Sequence, residues 1–302
     1  MLKQYEHILL GGLMYNLADI KTVKSILSRY GFNFSKSLGQ NFLINPSVCP
    51  RMAEECGCNM EVGVIEIGPG IGVLTCELAK RTNKVVAIEL DKKLLPILSE
   101  TLSDFDNIKI INDDIMKMNL EGLIASEFDG KDVVVCANLP YYITSPIIMK
   151  LLETRLNVKS ITVMVQKEVA LRLCTDLGTR DSSSIGVAIN YYAEPELLFE
   201  VSRGNFVPMP KVDSAVIKLN IRKEPQFKVQ DEKLFFKVVN AAFSQRRKTL
   251  HNSLSNGLNL QKSIVQDILN GLSIPLTIRA ENLNIEQFVK ISNYIYDRKI
   301  KL

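Results

Sequence analysis

Residues 66–72 read Glu-Ile-Gly-Pro-Gly-Ile-Gly, and three more polar side chains close apolar runs: Glu89 after VVAI, Asp114 after IKIIND, and Asn138 after VVVCA. Glycines at 68, 70 and 72 permit a tight turn and close backbone approach of a ligand. The G-x-G-x-G order is not the dinucleotide fingerprint, which needs a glycine where Val73 stands, and no Lys-Ser/Thr pair follows for a phosphate loop. A carboxylate such as Glu89, at the tip of a strand, can accept from both hydroxyls of a ribose. Singly, each polar residue could be an ordinary strand end or helix cap. Together they mark the crevice at the carboxyl ends of parallel strands where open α/β sheets bind ligands. Acid–base catalysis by histidine is all but excluded, since the chain holds only His7 and His251.

The stretch around Asn138, DVVVCANLPYYITSPIIMK, has no charge from 133 to 149. A membrane helix would need about 20 predominantly apolar residues and would tolerate Asn138, Pro140, two tyrosines and Pro146 badly. The pattern fits an apolar strand running into a loop that presents polar and aromatic groups at its carboxyl end. Tyr142 is expected to pack. A second aromatic loop, NFVPMPKVDS at 205–214, is either a wall of the same site through Phe206 or a proline-braced connection with Phe206 buried.

These residues need a frame. VGVIEIG, KVVAIEL, IKIINDDI, DVVVCA and SITVMVQ read as strands that alternate with helices, the first helices being residues 20–30 and 46–56. Pro96 is expected to disturb the first turns of KKLLPILSETL. Strands apolar on both faces imply a parallel sheet covered on both sides. SIGVAINYYAEPELLFEV and SAVIKLNIRK read as later, longer strands, and from Asp231 onward the pattern is helical. The expected divisions are an N-terminal extension over 1–19, a catalytic domain over 20–224 and a basic helical domain over 225–302. Within the extension, Gly11-Gly12-Leu13-Met14 would be a translated ribosome-binding sequence with Met14 as the start.

The totals agree with a two-domain globular protein: 302 residues, 46% apolar, 23% charged. Six cysteines with a lone C-x-C at 56–58 and no neighbouring histidine read as reduced small hydrophobes in a cytoplasmic protein, not as a metal site. Net charge is +4, but residues 1–220 carry 23 Lys and Arg against 26 Asp and Glu, while residues 221–302 carry 14 against 7. A basic C-terminal third on a mildly acidic body suits a polyanionic partner. FSQRRKTLHNSL concentrates that charge at Arg246, Arg247 and Lys248, which suit phosphate contacts that give affinity without reading sequence.

The order of glycine turn, second-strand acid and third-strand Asp resembles the class I S-adenosylmethionine-dependent methyltransferases. The resemblance implies a Rossmann-like α/β fold with a mostly parallel seven-stranded sheet, here joined to a smaller all-α C-terminal domain. It places the glycine turn against the methionine part, Glu89 on the ribose and the third-strand Asp at the adenine amine. Methyl transfer from a sulfonium suits a site without histidine, because the leaving group is a neutral thioether and positioning can supply most of the catalysis. On that footing the Asn138 side-chain oxygen and the Leu139 carbonyl could accept from the exocyclic amine of a substrate adenine, localising its lone pair. Pro140 would fix the turn, and Tyr141 could stack on a base taken out of its helix.

SLGQNFLIN, EIGPGIG, AIELD, NDDIM, NLPYYITSP, NFVPMPKVDSAV and FSQRRKTLHNSL occur in the order of the KsgA/RsmA family of bacterial 16S ribosomal RNA adenine dimethyltransferases, a resemblance over about residues 14–270. It implies dimethylation of N6 on two adjacent adenines in the 3′-terminal hairpin of 16S rRNA, in the 30S subunit or its precursor, with a part in subunit maturation. It further implies cofactor contacts by Asn41, Leu43, Gly68, Glu89, Asp114 and Asn138, no metal, and a cytoplasmic monomer without membrane attachment. Of the doubled Asp113 and Asp114, Asp114 is assigned to the cofactor. Two other readings are a macrolide-resistance methyltransferase acting on large-subunit RNA and a ribosome-assembly or RNA-binding factor in which transfer is secondary.

Overall fold

The computed structural model describes residues 15–35 and 39–302; Met14 and most of the expected N-terminal extension lie outside them. The chain forms two compact units. The first comprises residues up to Lys167 together with Leu197–Lys218, and the second Glu168–Glu196 together with Leu219–Leu302.

The first unit opens with helix α1 (Ile20–Arg29), which starts where Asp19 accepts from the Thr22 amide and buries Val23, Ile26 and Leu27. A short strand β1 (Phe42–Leu43) and helix α2 (Val48–Glu55) follow. Next come β2 (Gly63–Ile67), α3 (Val73–Ala79), β3 (Val85–Glu89), α4 (Leu95–Thr101), β4 (Ile108–Asn112), α5 (Leu120–Glu127), β5 (Val133–Asn138), α6 (Thr144–Glu153) and β6 (Ser160–Gln166). Pro96 falls in the first turn of α4 behind a short 3₁₀ turn at 92–94, so its missing N–H is not needed. Every residue of β2 and β3 is buried, as is all of β5 except Asn138 at its tip.

With β7 (Ala193–Val201) and β9 (Ser214–Ile221), these strands form a seven-stranded sheet in the order β4-β3-β2-β5-β6-β9-β7. The pairings of β2 with β3, β3 with β4, β2 with β5 and β5 with β6 are all parallel. Successive strands are added outward from β2 in one direction as far as β4, and then from β5 in the other. The carboxyl ends of β2 and β5 therefore flank a topological switch point, where neighbouring loops diverge and leave a crevice. A two-stranded ribbon pairs β1 with β8 (Phe206–Val207) in antiparallel register, Leu43 opposite Phe206.

The second unit gathers α8 (Ser184–Tyr192), α9 (Glu232–Phe243), α10 (Leu250–Leu258), α11 (Lys262–Gly271) and α12 (Ile285–Asp297), together with most of α7 (Lys167–Leu173). A single cut at 224 thus differs from the observed division, because residues 168–196 pack with the C-terminal helices. SIGVAINYY, read as strand from its β-branched and aromatic content, is the helix α8. Ser183 caps it by accepting from the Gly186 amide. The Tyr191 ring lies 5.1 Å from Phe235 and Tyr192 stacks at 5.5 Å on Phe236, both partners being on α9. The Tyr192 hydroxyl donates to Glu232 at 2.7 Å. Packing against partners some forty residues away outweighs local strand propensity. Among the described residues no helix is long and apolar enough to cross a membrane.

Candidate functional site

A cavity opens over the tips of β2, β3 and β5, with Leu43, Met52 and Leu74 from one buried cluster and Phe42, Ile71 and Leu94 from another forming apolar parts of its wall. Side chains in two packed clusters hold fixed rotamers, so the polar groups above them are positioned by a rigid floor.

The glycine turn leaves β2 with φ of +70° at Gly68, +61° at Gly70 and +92° at Gly72. Gly72 caps α3, and a Cβ there would stand 2.8 Å from Leu102, so both backbone and space demand glycine. A Cβ on Gly68 would meet nothing within 4 Å. It would point into open space beside the cavity, which is what close approach of a ligand requires.

Glu89 is 6% exposed at the end of β3. Its carboxylate is aimed by two backbone amides: Asp91 donates to Oε1 at 2.7 Å and Gly70 to Oε2 at 3.4 Å. Burial pushes its pKa up to about 6 even though these amides favour the charged form. Each oxygen retains acceptor capacity for a hydroxyl. Gln40 ties the 39–41 segment to this edge by donating to Asp91 at 2.9 Å. Asn41 spends its amide N–H on the Gly39 carbonyl at 2.9 Å and lines the cavity with Leu43, which β1 buries.

Asp113 and Asp114 both line the cavity. Asp113 is exposed and accepts from the Asp114 amide at 2.7 Å, whereas Asp114 is partly buried and accepts from the Met116 amide at 2.9 Å.

On the facing wall stand Asn138, Leu139, Pro140 and Tyr141. The Asn138 side-chain amide and the Leu139 carbonyl make no hydrogen bond to any described residue; the Leu139 amide is held by the Met164 carbonyl at 3.2 Å. The Pro140 carbonyl accepts from the Ile143 amide at 3.2 Å and the Thr144 hydroxyl at 3.1 Å. Tyr141 lies beside Ser214, the two hydroxyls 2.7 Å apart, so its ring plane is fixed at the cavity wall. Two acceptors free and adjacent, next to an anchored aromatic ring, can receive an amine and stack its ring.

Two placements differ from the sequence reading. Phe206 is not brought to the cavity: it is 2% exposed and packed with Leu43, Val48, Met52 and Val216, so the buried alternative holds. Its pairing with Leu43 makes it part of the floor that supports the site. Replacing Phe206 with Ala should cost about 3–5 kcal/mol of unfolding free energy by creating a cavity. Denaturant unfolding checks this, and a normal midpoint with lost turnover would instead restore the wall role. Tyr142, expected to pack, is 57% exposed at the cavity lip near Gly39.

Glu66 is the residue the sequence reading left without a role. It lines the cavity, is 1% exposed, and neither its Oε2 nor the neighbouring Thr75 hydroxyl has a hydrogen-bond partner among the described residues. Burial pushes its pKa up to about 8, and the Glu89 charge adds to the rise. The available signal was an acid inside an otherwise apolar strand. A carboxyl with a raised folded pKa contributes stability that is complete below its ordinary 4.5 and lost as pH climbs through about 8. Glu66→Gln should therefore flatten the decline in unfolding midpoint between pH 4.5 and 8. At roughly 1.4 kcal/mol per pKa unit, the variant gains a few kcal/mol over the native protein at alkaline pH. Parallel pH curves for the two proteins would contradict this.

The Glu89 carboxylate, the open Gly68 backbone and the orphaned Glu66 oxygen leave room and acceptors for a ligand that carries hydroxyl and ammonium donors. S-adenosylmethionine, with its sulfonium and ammonium, its ribose and its adenine, fits this donor set. Arg246, Arg247 and Lys248 occupy the turn between α9 and α10 in the second unit, all exposed and without an ion-pair partner among the described residues.

Residues 31–297 match the family model for ribosomal RNA adenine dimethylase. The chain is 49% identical over 292 residues to the ribosomal RNA small subunit methyltransferase A of Bacillus cytotoxicus, covering 95% of this chain and 100% of that one. It is 48% identical over 291 residues to the protein of that name from Bacillus mycoides, with the same coverage. Among solved structures it resembles a dimethyladenosine transferase from Plasmodium falciparum, with a TM-score of 0.72, 26% identity, and coverage of 85% of this chain and 98% of that one. It also resembles the 23S rRNA methyltransferase ErmE, with a TM-score of 0.63, 27% identity, and coverage of 83% and 97%.

Proposed function

The chain belongs to the ribosomal RNA adenine dimethylase family, and from that membership we propose that it dimethylates N6 of two adjacent adenines in the 3′-terminal hairpin of 16S rRNA. S-adenosylmethionine is the methyl donor, and the substrate is the 30S subunit or its precursor, met in the cytoplasm by a monomer that helps gate maturation. The observation that carries the reading is the convergence of Glu89, Asp114 and the uncommitted acceptors of Asn138 and Leu139 on one cavity at the sheet's switch point.

The donor supplies a sulfonium methyl whose departure leaves a neutral thioether. Glu89 holds the ribose hydroxyls, Asp114 the adenine amine of the donor, and Gly68, Asn41 and Leu43 the remaining wall. The substrate amine is a weak nucleophile because its lone pair is delocalised into the ring. Accepting from its N–H groups, Asn138 Oδ1 and the Leu139 carbonyl turn nitrogen toward tetrahedral geometry, taking that pair out of conjugation with the ring and orienting it. Tyr141 stacks on the extruded base, Pro140 holds the turn, and the buried floor keeps water out. The acceptors strengthen as charge develops on nitrogen, which is where preorganised dipoles lower a barrier. Arg246, Arg247 and Lys248 grip phosphates and set register without reading bases.

ErmE carries the second reading, a large-subunit RNA target, but its 27% identity is well below the 49% shared with the small-subunit relative. Purified chain with labelled S-adenosylmethionine should label 30S particles from cells lacking the gene and leave 23S RNA unlabelled. Label on 23S RNA alone would reject the proposal.

A further inference from the structure

We infer that Lys150 is a positioning residue that couples the two ends of the cavity, presenting Asp114 to the adenosine half of the donor; the inference rests on the donor assignment above. Lys150 lies on α6, the helix that begins directly after the Asn138–Tyr141 turn. Its start is locked to that turn, since Ile143 and Thr144 both donate to the Pro140 carbonyl. From the last part of the same helix the Lys150 ammonium donates to the carbonyls of Met116 at 2.7 Å and Met118 at 3.0 Å.

Those carbonyls belong to the turn that displays Asp114. Its start is fixed by Asp114 Oδ1, which accepts from the Met116 amide at 2.9 Å, and by the Asp114 carbonyl, which accepts from the Lys117 and Met118 amides at 2.8 and 3.1 Å. Lys150 fixes its far end. The ammonium is partly buried and has no ion-pair partner among the described residues, so its charge is compensated by carbonyl dipoles. Lysine is rarely withdrawn from water without such partners, because its charge is strongly hydrated and its stem loses rotamer freedom. A solvent-facing rotamer is the default for a helix lysine; the two bonds to the Met116 and Met118 carbonyls hold this one inward. With this strut, α6 spans from the base-gripping turn to the turn beside the donor's adenine, and each wall of the cavity is braced against the other.

Full-length protein and its Lys150→Met and Lys150→Arg variants are compared by calorimetry with S-adenosylhomocysteine and with 5′-methylthioadenosine, alongside steady-state kinetics. Lys150→Met should weaken both ligands in parallel by about tenfold and raise the donor's KM similarly, with kcat at saturation within about threefold. Lys150→Arg, which keeps donors to both carbonyls, should return most of the affinity. Affinities within about twofold of the native protein, whatever the thermal midpoint, would overturn the inference and leave Lys150 a stabilising contact. Should Lys150→Met not fold, Lys150→Gln gives the same comparison with a shorter side chain. If the native protein binds neither ligand, this inference and the donor assignment fall together.

Discussion

Asn138→Ala should lower the rate constant for methyl transfer by about 10²–10³-fold, the range for removing one preorganised group from a charge-developing transition state. The Asn138 amide is held at the tip of β5 and makes no bond to a described residue, so its removal vacates an acceptor without breaking internal structure. Unfolding midpoint and affinity for 30S particles should stay close to native values, because phosphate contacts dominate RNA affinity. Single-turnover measurement with pre-bound RNA separates the two. Turnover within about threefold of native would remove Asn138 from the reaction.

Glu89→Ala should act on donor binding. A carboxylate accepting from two hydroxyls makes charge-assisted hydrogen bonds of about 1.5–3 kcal/mol each, so its loss should weaken S-adenosylhomocysteine by about 10²-fold or more. The effect belongs to the complex and not to the fold. Burial raises the pKa of Glu89 to about 6, so near neutrality it is a carboxylate whose ionisation costs the free protein more than it would in water. Truncation relieves that cost while leaving the Asp91 and Gly70 amides without their acceptor, and the midpoint should move little. Calorimetry and thermal unfolding on one preparation check both parts. A large fall in midpoint with unchanged affinity would make Glu89 a structural residue.

The sequence reached furthest where one physical signal was strong. The buried runs of β2, β3 and β5 admit hardly any element but a covered parallel strand, and the polar groups that end β3 and β5, Glu89 and Asn138, are cavity residues. It failed where distant partners decide. α8 has the composition of a strand, and only the rings of α9 make it a helix. Residues 168–196 joined the second unit for the same reason. Strand pairing with Leu43 decided between the two readings of Phe206 by drawing it inward, and the turn after Pro140 left Tyr142, expected to pack, at the lip. Burial and pairing of this kind are properties of the assembled fold, and no local pattern encodes them. Glu66 shows a different limit, since an acid in an apolar strand signals function without saying which.

On the proposed reading the donor lies across the strand tips with its sulfur toward the Asn138–Tyr141 turn. A crystal structure with S-adenosylhomocysteine tests it most directly. Ribose hydroxyls are expected on Glu89, the adenine beside Asp114 and the sulfur facing Asn138. Density for the ligand elsewhere, or in this cavity with its sulfur turned away from that residue, would contradict it.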